Sequence, residues 1–354
     1  MTNGIWMPQR RDFLRLGGAV LAAPALIGRA AAAQTLSVRT PGGAFDDVKR
    51  RTVYDPFKAA TGIEIVPVAA TVARLLAMSK SGRIDIDCID TGADALMQLE
   101  LEGALTPIDY KSFTFTNPDD IDPAVRTPTW VASYLLAFVM TYNTASFPKG
   151  KEPKSWADFW DLQGYPGART MAGMGTGTPN LEFALLADGV APDKLYPLDI
   201  PRALKSLSKI KASIPKFWDT GALSAQMMAD KEAVLGSLWN TRVQGAIDAG
   251  APLAIQWNQN LVMAQAYGIA KGSPKVDLAN KFIDYSLSPE VQVRWLTEYQ
   301  GIPANMKAYP STVKSLLDPD TKTPWTKSKG IPMDNGWWAA NRPKVSAAWS
   351  NWIL

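Results

Sequence analysis

The sequence contains no histidine and only one cysteine. The absence of histidine excludes Ser-His and Cys-His catalysis, and it excludes His-ligated metal sites. With Cys88 alone, no disulfide can form within the chain. Cys88 lies in the strand-like segment 84–89, which favours a small buried side chain over a nucleophile. We therefore expect a protein that is not an enzyme and that carries no metal or other cofactor.

Long apolar runs and a strong net charge are also missing. Residues 131–140 form the best apolar stretch beyond the N-terminal segment, and they suit a buried strand rather than a bilayer span. The formal charge of +4 falls to +1 without residues 1–33, which hold four arginines and one aspartate. Neither nucleic acid nor an anionic membrane is an expected partner.

The N-terminal segment has the order of an export signal. Arg10 and Arg11 precede Phe13-Leu14, a weak apolar run follows, and an alanine tract ends at Ala33. The paired arginines resemble the twin-arginine motif, with Gln9 in place of Ser/Thr. A membrane anchor is the alternative, but the run is too short and is broken by glycine and proline. We expect residues 1–33 to be a signal peptide and the mature protein to be periplasmic.

Strand-like and helical segments alternate along the rest of the chain. This order favours an α/β fold with mostly parallel sheets flanked by helices. The segments that begin the alternation are strands at 36–40, 63–68 and 84–90 and helices at 46–61, 72–79 and 93–102. The chain from Gln34 onward is long enough for two lobes.

Four later segments resemble the extracellular solute-binding proteins of ABC importers. They are PKSWADFW at 153–160, LGSLWN at 235–240, the run at 279–291 and GIPAN at 301–305. They are similar to the spermidine/putrescine-binding branch, which has the type II periplasmic binding protein fold. The resemblance implies two lobes joined by hinge strands, residues 34–140 with 265–306 and residues 141–264 with 307–354. It also implies a small solute held in the cleft, a membrane permease as partner and a monomer.

Ligands of open α/β sheets lie beyond the carboxyl ends of the strands, where helices begin. Free N–H groups at such ends favour a negatively charged group. A plain turn with a capping residue is the alternative for each end taken singly. The candidate ligand residues on three of these ends are Thr40, Gly42, Gly43, Thr91, Gly92, Asp94, Thr176, Thr178 and Asn180.

The fourth strand end contains Arg242, the most specific candidate for a ligand-binding residue. A cation in the first turn of a helix opposes the macrodipole, so its presence suggests a function such as gripping a carboxylate. A surface ion pair with Asp46, Asp94 or another acid is the alternative. Trp239 aligns with an aromatic residue that sandwiches the ligand in polyamine binders, and Trp257 is a further candidate for which core packing is equally good.

Departures from the polyamine pattern point to the ligand. Gln265 stands where polyamine binders carry an acid, and the acidic pair at the start of a second-lobe helix becomes the Gly/Thr-rich segment 176–180. The resemblance then implies a carboxylate-bearing or zwitterionic solute such as an amino acid or ω-amino acid, with Asp90 or Asp94 available for an amine. A polyamine binder with a rearranged site is the alternative. An enzyme with an Asp/Glu pair is the alternative from another class.

Overall fold

The computed structural model describes Met1 and residues 34–354, and the predicted signal peptide lies outside the described residues. Residues 34–354 form one compact unit. No helix within the described part of the chain is long and apolar enough to cross a bilayer.

Eleven strands belong to one sheet within residues 34–354. They are β1 (Thr35–Thr40), β2 (Glu64–Ala69), β3 (Cys88–Gly92), β4 (Leu105–Thr106), β5 (Trp130–Asn143), β6 (Arg169–Ala172), β7 (Lys216–Trp218), β8 (Leu235–Trp239), β9 (Leu253–Ala270), β10 (Ile302–Pro303) and β11 (Gly330–Pro332).

Helices cover the sheet. They are α1 (Ala44–Lys49), α2 (Asp55–Thr61), α3 (Val72–Ser81), α4 (Ala93–Leu101), α5 (Trp156–Trp160), α6 (Leu181–Ala187), α7 (Ile200–Ser208), α8 (Gly221–Ala229), α9 (Asn240–Asp248), α10 (Val276–Ser286), α11 (Pro289–Tyr299), α12 (Trp325–Ser328) and α13 (Asn335–Ile353). A π-helical stretch, Arg50–Tyr54, joins α1 to α2.

The α/β class is confirmed, but the sheet is mixed rather than mostly parallel. Its order is β2-β1-β3-β9-β5-β8-β6-β7. The outer strands pair in parallel, as the alternation of strands and helices predicts. The two central strands, β5 and β9, run antiparallel to each other, and β9 and β5 run antiparallel to β3 and β8 respectively, whereas the short strand β11 pairs with β9 in parallel. β9 is a single strand of 18 residues.

Two hydrophobic clusters flank different parts of this sheet. One gathers side chains mainly from residues 36–137 and 264–316, with Trp295 and Phe282 fully buried in it. The other gathers mainly residues 138–235 and 331–349. In the second cluster, Trp156 stacks on Phe183 with ring centroids 3.6 Å apart. The long strands β5 and β9 contribute to both clusters and so connect them.

Local signals in the sequence set several helix starts correctly. Ser155 caps α5, because its hydroxyl accepts from Asp158 N while the Asp158 carboxylate accepts from Ser155 N.

The turn after β1 depends on Gly42, whose φ of 81° is a conformation that favours glycine.

Candidate ligand-binding cavity

The four predicted strand ends meet around one cavity of about 390 Å³. Each end contributes at least one lining residue, although the ends are distant in sequence. The predicted residues that line it are Gly42, Thr91, Gly92, Asp94, Thr176, Thr178, Trp239, Arg242 and Gln265. The volume lies in the range of pockets that hold small molecules.

Arg242 lies in the first turn of α9, as predicted, and is half-buried in the cavity wall. The acids considered as surface partners are engaged elsewhere. Asp94 pairs with Arg342, and Asp46 accepts a 2.7 Å hydrogen bond from the Thr40 hydroxyl. Arg242 therefore faces the cavity without a carboxylate partner among residues 34–354.

Tyrosine and tryptophan side chains line the cavity together with Arg242. Burial raises the pKa of Tyr299, and the positive charge of Arg242 opposes that rise. The Tyr134 and Tyr299 rings meet edge to face at 5.6 Å. Trp239 packs edge to face on Trp218 at 5.1 Å. The cavity thus combines the Arg242 guanidinium, which has no carboxylate partner among residues 34–354, with aromatic walls, and this suits a short ligand with an anionic end.

Gly221, the first residue of α8, makes room for Arg242. A Cβ at this position would lie 2.8 Å from Arg242 Nε and 3.0 Å from Trp239 Cε3. Both side chains would have to shift in order to avoid this contact. The position of the guanidinium therefore depends on the missing side chain of Gly221.

Gly221→Ala is expected to weaken carboxylate binding by about tenfold, because a displaced guanidinium loses the alignment of its hydrogen bonds. Stability should change by less than about 1 kcal/mol, since alanine is a good helix residue. Titration calorimetry and thermal unfolding measure the two effects. Gly245→Ala in α9 is the matched control, because no atom lies within 4 Å of its added Cβ. Equal affinities of both variants and wild type would contradict the positioning role of Gly221.

A second arginine, Arg342, approaches the cavity from α13. It forms an ion pair with Asp94 of α4, and the two side chains are 30% and 12% exposed. Gly177, with φ of 89°, leaves the space for this guanidinium, because a Cβ there would lie 2.8 Å from Arg342 Nη1. The carboxylate of Asp94 is thereby neutralised where it faces the cavity.

Behind the cavity wall lies a buried group of charged residues. Lys49 is fully buried, donates to the Tyr267 hydroxyl at 2.6 Å and lies 3.8 Å from Asp90 Oδ2. Burial lowers the pKa of Lys49 to about 8 and raises the pKa of Asp90 to about 6. Both groups are therefore charged at neutral pH. Gln265 connects them to the cavity, because its Nε2 donates to Asp90 Oδ1 at 2.9 Å.

Arg39 is a lining residue that the sequence prediction missed. It lies on β1, one residue before the predicted strand end, and donates to Ala70 O at 2.9 Å and to Asp90 O at 2.8 Å. A charged side chain at the carboxyl end of a strand is a signal that could have identified it. The other missed lining residues are Pro41, Phe45, Val72, Ala95, Tyr134, Leu136, Thr241, Met263, Ala264, Tyr299 and Arg342.

Four predicted residues lie outside the cavity lining. Gly43 follows the lining residue Gly42 but is not itself a lining residue, and Thr40 is buried, with its hydroxyl donating to Asp46. Asn180 is 2% exposed, and its Oδ1 accepts from Ala172 N and the Ser237 hydroxyl. Trp257 stacks on Trp325, with ring centroids 6.2 Å apart, within the first hydrophobic cluster. Core packing accounts for Trp257.

The polar residues that line the cavity can bind a ligand. No group of side chains that could hold a metal ion is present among residues 34–354. An α/β fold with a polar cavity at converging strand ends defines a binding protein for a small solute. The chain belongs to the bacterial extracellular solute-binding protein family, which matches residues 52–324. The family is that of ABC-importer binding proteins, which work with a small-molecule solute and a membrane permease.

Known relatives agree with this assignment. The γ-aminobutyric acid-binding protein of Pseudomonas aeruginosa is 31% identical over 270 residues, 74% of each chain. The Atu4243–GABA receptor structure is 31% identical, with a TM-score of 0.81 over 91% of this chain and 98% of that one. An ABC transporter substrate-binding protein from Bradyrhizobium japonicum is 29% identical, with a TM-score of 0.80 over 91% of this chain and all of that one. These relatives are solute-binding proteins rather than enzymes, and they do not favour the polyamine alternative.

Proposed function

We propose that this chain captures a small carboxylate-bearing or zwitterionic solute and delivers it to an ABC permease. An ω-amino acid such as γ-aminobutyrate is the ligand class that fits best. The observation that carries the proposal is Arg242, a half-buried guanidinium in the cavity wall with no carboxylate partner among the described residues. A ligand carboxylate can accept two parallel hydrogen bonds from such a group.

The charges that line the cavity support an anionic group on the ligand. Arg39, Arg242 and Arg342 contribute three positive charges, and Asp94 is the one acid in the lining. A polyamine carries several ammonium groups and would meet a net repulsion from this set. The names of two relatives, the γ-aminobutyric acid-binding protein and the GABA receptor, point to the same ligand class.

The ligand would lie between two lobes, residues 34–140 with 265–306 and residues 141–264 with 307–354. The second hydrophobic cluster falls almost entirely within the second set of residues and supports this division, whereas the first cluster also includes Val243, Leu253 and Trp257 from that set. Asp94 falls in the first lobe and Arg342 in the second, so their ion pair would cross the cleft. We propose that a monomer closes around the solute by hinge motion at β5 and β9, and that the permease receives the closed form.

A ligand panel tests the proposal. Thermal unfolding is measured with γ-aminobutyrate, other amino acids, butyrate, putrescine and spermidine, each at millimolar concentration. A ligand present at 100 times its Kd should add about 2.7 kcal/mol to the free energy of unfolding. We expect shifts with carboxylate-bearing compounds and none with the two polyamines. Shifts confined to putrescine or spermidine would reject the proposed ligand class.

Export through a twin-arginine signal is part of the proposal, because Arg10 and Arg11 stand before Phe13-Leu14. Changing both arginines to lysine should leave the full-length precursor in the cytoplasm of a bacterial host. Immunoblots of periplasmic and cytoplasmic fractions measure this. Arg29→Lys, in the same segment, is the control and should still be exported. Normal periplasmic yield of the Arg10→Lys/Arg11→Lys variant would contradict twin-arginine export.

A further inference from the structure

Gln265 is the lining residue whose side chain hydrogen-bonds the carboxylate of the buried Lys49–Asp90 pair. Its Nε2 donates to Asp90 Oδ1 at 2.9 Å. Its Oε1 has no hydrogen-bond donor among the described residues. Asp90 itself does not line the cavity and is 1% exposed. Among residues 34–354, Gln265 is the only side chain that hydrogen-bonds the Asp90 carboxylate, so this carboxylate sets the direction of an amide that lines the cavity.

The direction of this amide follows from the chemistry of its partner. An ionised carboxylate only accepts hydrogen bonds, so it must face the NH₂ group of the amide and never its oxygen. Lys49, 3.8 Å from the other carboxylate oxygen, favours the ionised form of Asp90. We propose that the buried Lys49–Asp90 pair is a positioning device that holds the Gln265 oxygen toward the ligand as an acceptor for its ammonium group.

This inference rests on the proposed function and deepens it, because it assigns the second end of a zwitterionic ligand. Arg242 receives the carboxylate, and Gln265 Oε1 receives the ammonium. Asp94 also lines the cavity, but its carboxylate is engaged by Arg342. A neutral acceptor with a fixed direction selects an ammonium group without adding a negative charge that would repel the carboxylate of the same ligand.

Several groups surround Asp90 and act on its ionisation. Burial raises the pKa of Asp90 to about 6, against the lowering effects of Lys49, the Gln265 hydrogen bond and Arg39. Asp46 raises it further. Other titratable side chains that feel its charge are Tyr54, Cys88, Tyr134, Tyr267 and Tyr299. Burial raises the pKa of each of these five groups, so they stay neutral while Asp90 titrates.

Asp90→Asn should reverse the amide of Gln265. The Lys49 ammonium attracts the oxygen of the new side chain, which leaves the NH₂ group of Asn facing Gln265. Gln265 must then turn its oxygen to Asn and present its own NH₂ group to the cavity. The selectivity for γ-aminobutyrate over butyrate, the same acid without the amine, should fall by about tenfold, the size of one lost hydrogen bond. Binding of butyrate itself should be retained.

Titration calorimetry with these two probes on the mature chain tests the inference. Lowering the pH to 5.5 should reduce the selectivity of wild type as well, because protonated Asp90 donates to Gln265 Oε1 and turns the amide. With a pKa of about 6, about a quarter of Asp90 stays ionised at pH 5.5, so selectivity should fall about threefold from pH 7.5. Gln265→Met should lower selectivity and abolish its pH dependence. Asp87→Asn, on a neighbouring buried aspartate, should leave selectivity unchanged.

The outcomes separate the inference from the proposed function. Wild type that binds neither probe rejects the proposed function, and the inference falls with it. Wild type that binds γ-aminobutyrate with a selectivity insensitive to both pH and Gln265→Met overturns the inference alone. That second result holds even if Asp90→Asn fails to fold, because neither measurement needs that variant.

Discussion

Arg242→Ala is expected to weaken binding of carboxylate solutes by about 100-fold or more. Removing one partner of a buried, hydrogen-bonded charge pair costs about 2–5 kcal/mol, because the ligand carboxylate is left desolvated and unpaired. The remaining cations cannot replace it. Arg39 is held by two backbone carbonyls, and Arg342 is paired with Asp94. Titration calorimetry with γ-aminobutyrate at low ionic strength gives the ratio of Kd values.

Two control variants make this test specific. Arg242→Lys keeps the charge but loses the fork of parallel donors, so affinity should fall between that of wild type and Arg242→Ala. Arg51→Ala removes a surface arginine that pairs with Glu298 at 2.7 Å, and affinity should not change. Arg242→Ala should keep its stability, because this residue has no carboxylate partner among residues 34–354. A loss of less than about threefold would show that the carboxylate lies elsewhere.

Lys49→Met should lower the free energy of unfolding by about 3–5 kcal/mol, the usual cost of leaving one member of a buried ion pair alone. Asp90 would keep its carboxylate in a fully buried site without the nearby ammonium, and Tyr267 would lose the donor at 2.6 Å. Urea unfolding at pH 7, followed by tryptophan fluorescence, measures the change. Lys58→Met is the matched control, because Lys58 pairs with Glu64 at the surface, and its effect should stay below about 1 kcal/mol.

The double variant Lys49→Met/Asp90→Asn should recover most of the lost stability. Replacing both members of a buried pair by neutral groups is often close to neutral, because the cost of burying both charges disappears. Burial shifts the pKa of both groups toward their neutral forms, which indicates that this pair does not fully offset its desolvation. If the double variant is as unstable as Lys49→Met, the loss of stability in Lys49→Met does not come from leaving Asp90 without its partner.

The pH dependence of stability follows from the same pair. The pKa of Asp90 is raised when folded, so the folded state binds more protons between about pH 4 and 6 and loses stability as pH rises through that window. The pKa of Lys49 is lowered, so stability recovers between about pH 8 and 10.5. The contribution of this pair is therefore least favourable near neutral pH, where the binding protein would work.

The sequence predicted those parts of the cavity lining that lie next to their own turn signals. Glycine and hydroxyl residues after Thr40, Asp90 and Ala172 mark strand ends, and all of these ends reach the cavity. Arg242 was identifiable because a cation at a helix start needs a reason other than helix stability. The two-lobed fold was predicted from the four segments that resemble solute-binding proteins.

The remaining lining residues depend on contacts between distant parts of the chain. Tyr299 ends α11 and Arg342 lies within α13, and no local pattern marks either as a lining residue. The pairing of Arg342 with Asp94 joins residues 248 positions apart. Trp257 is a predicted ligand residue that lies outside the cavity lining and stacks on Trp325. The sequence around a tryptophan on a strand looks the same whether its ring contacts a ligand or packs in the core. Only the register of the 18-residue strand β9 decides between them.

A crystal structure of residues 34–354 with γ-aminobutyrate would show which groups bind each end of the ligand. We expect the carboxylate within about 3 Å of the Arg242 guanidinium, and the ammonium at hydrogen-bond distance from Gln265 Oε1. A ligand whose carboxylate lies on another group, with Arg242 turned away from it, would show that Arg242 is not the carboxylate site.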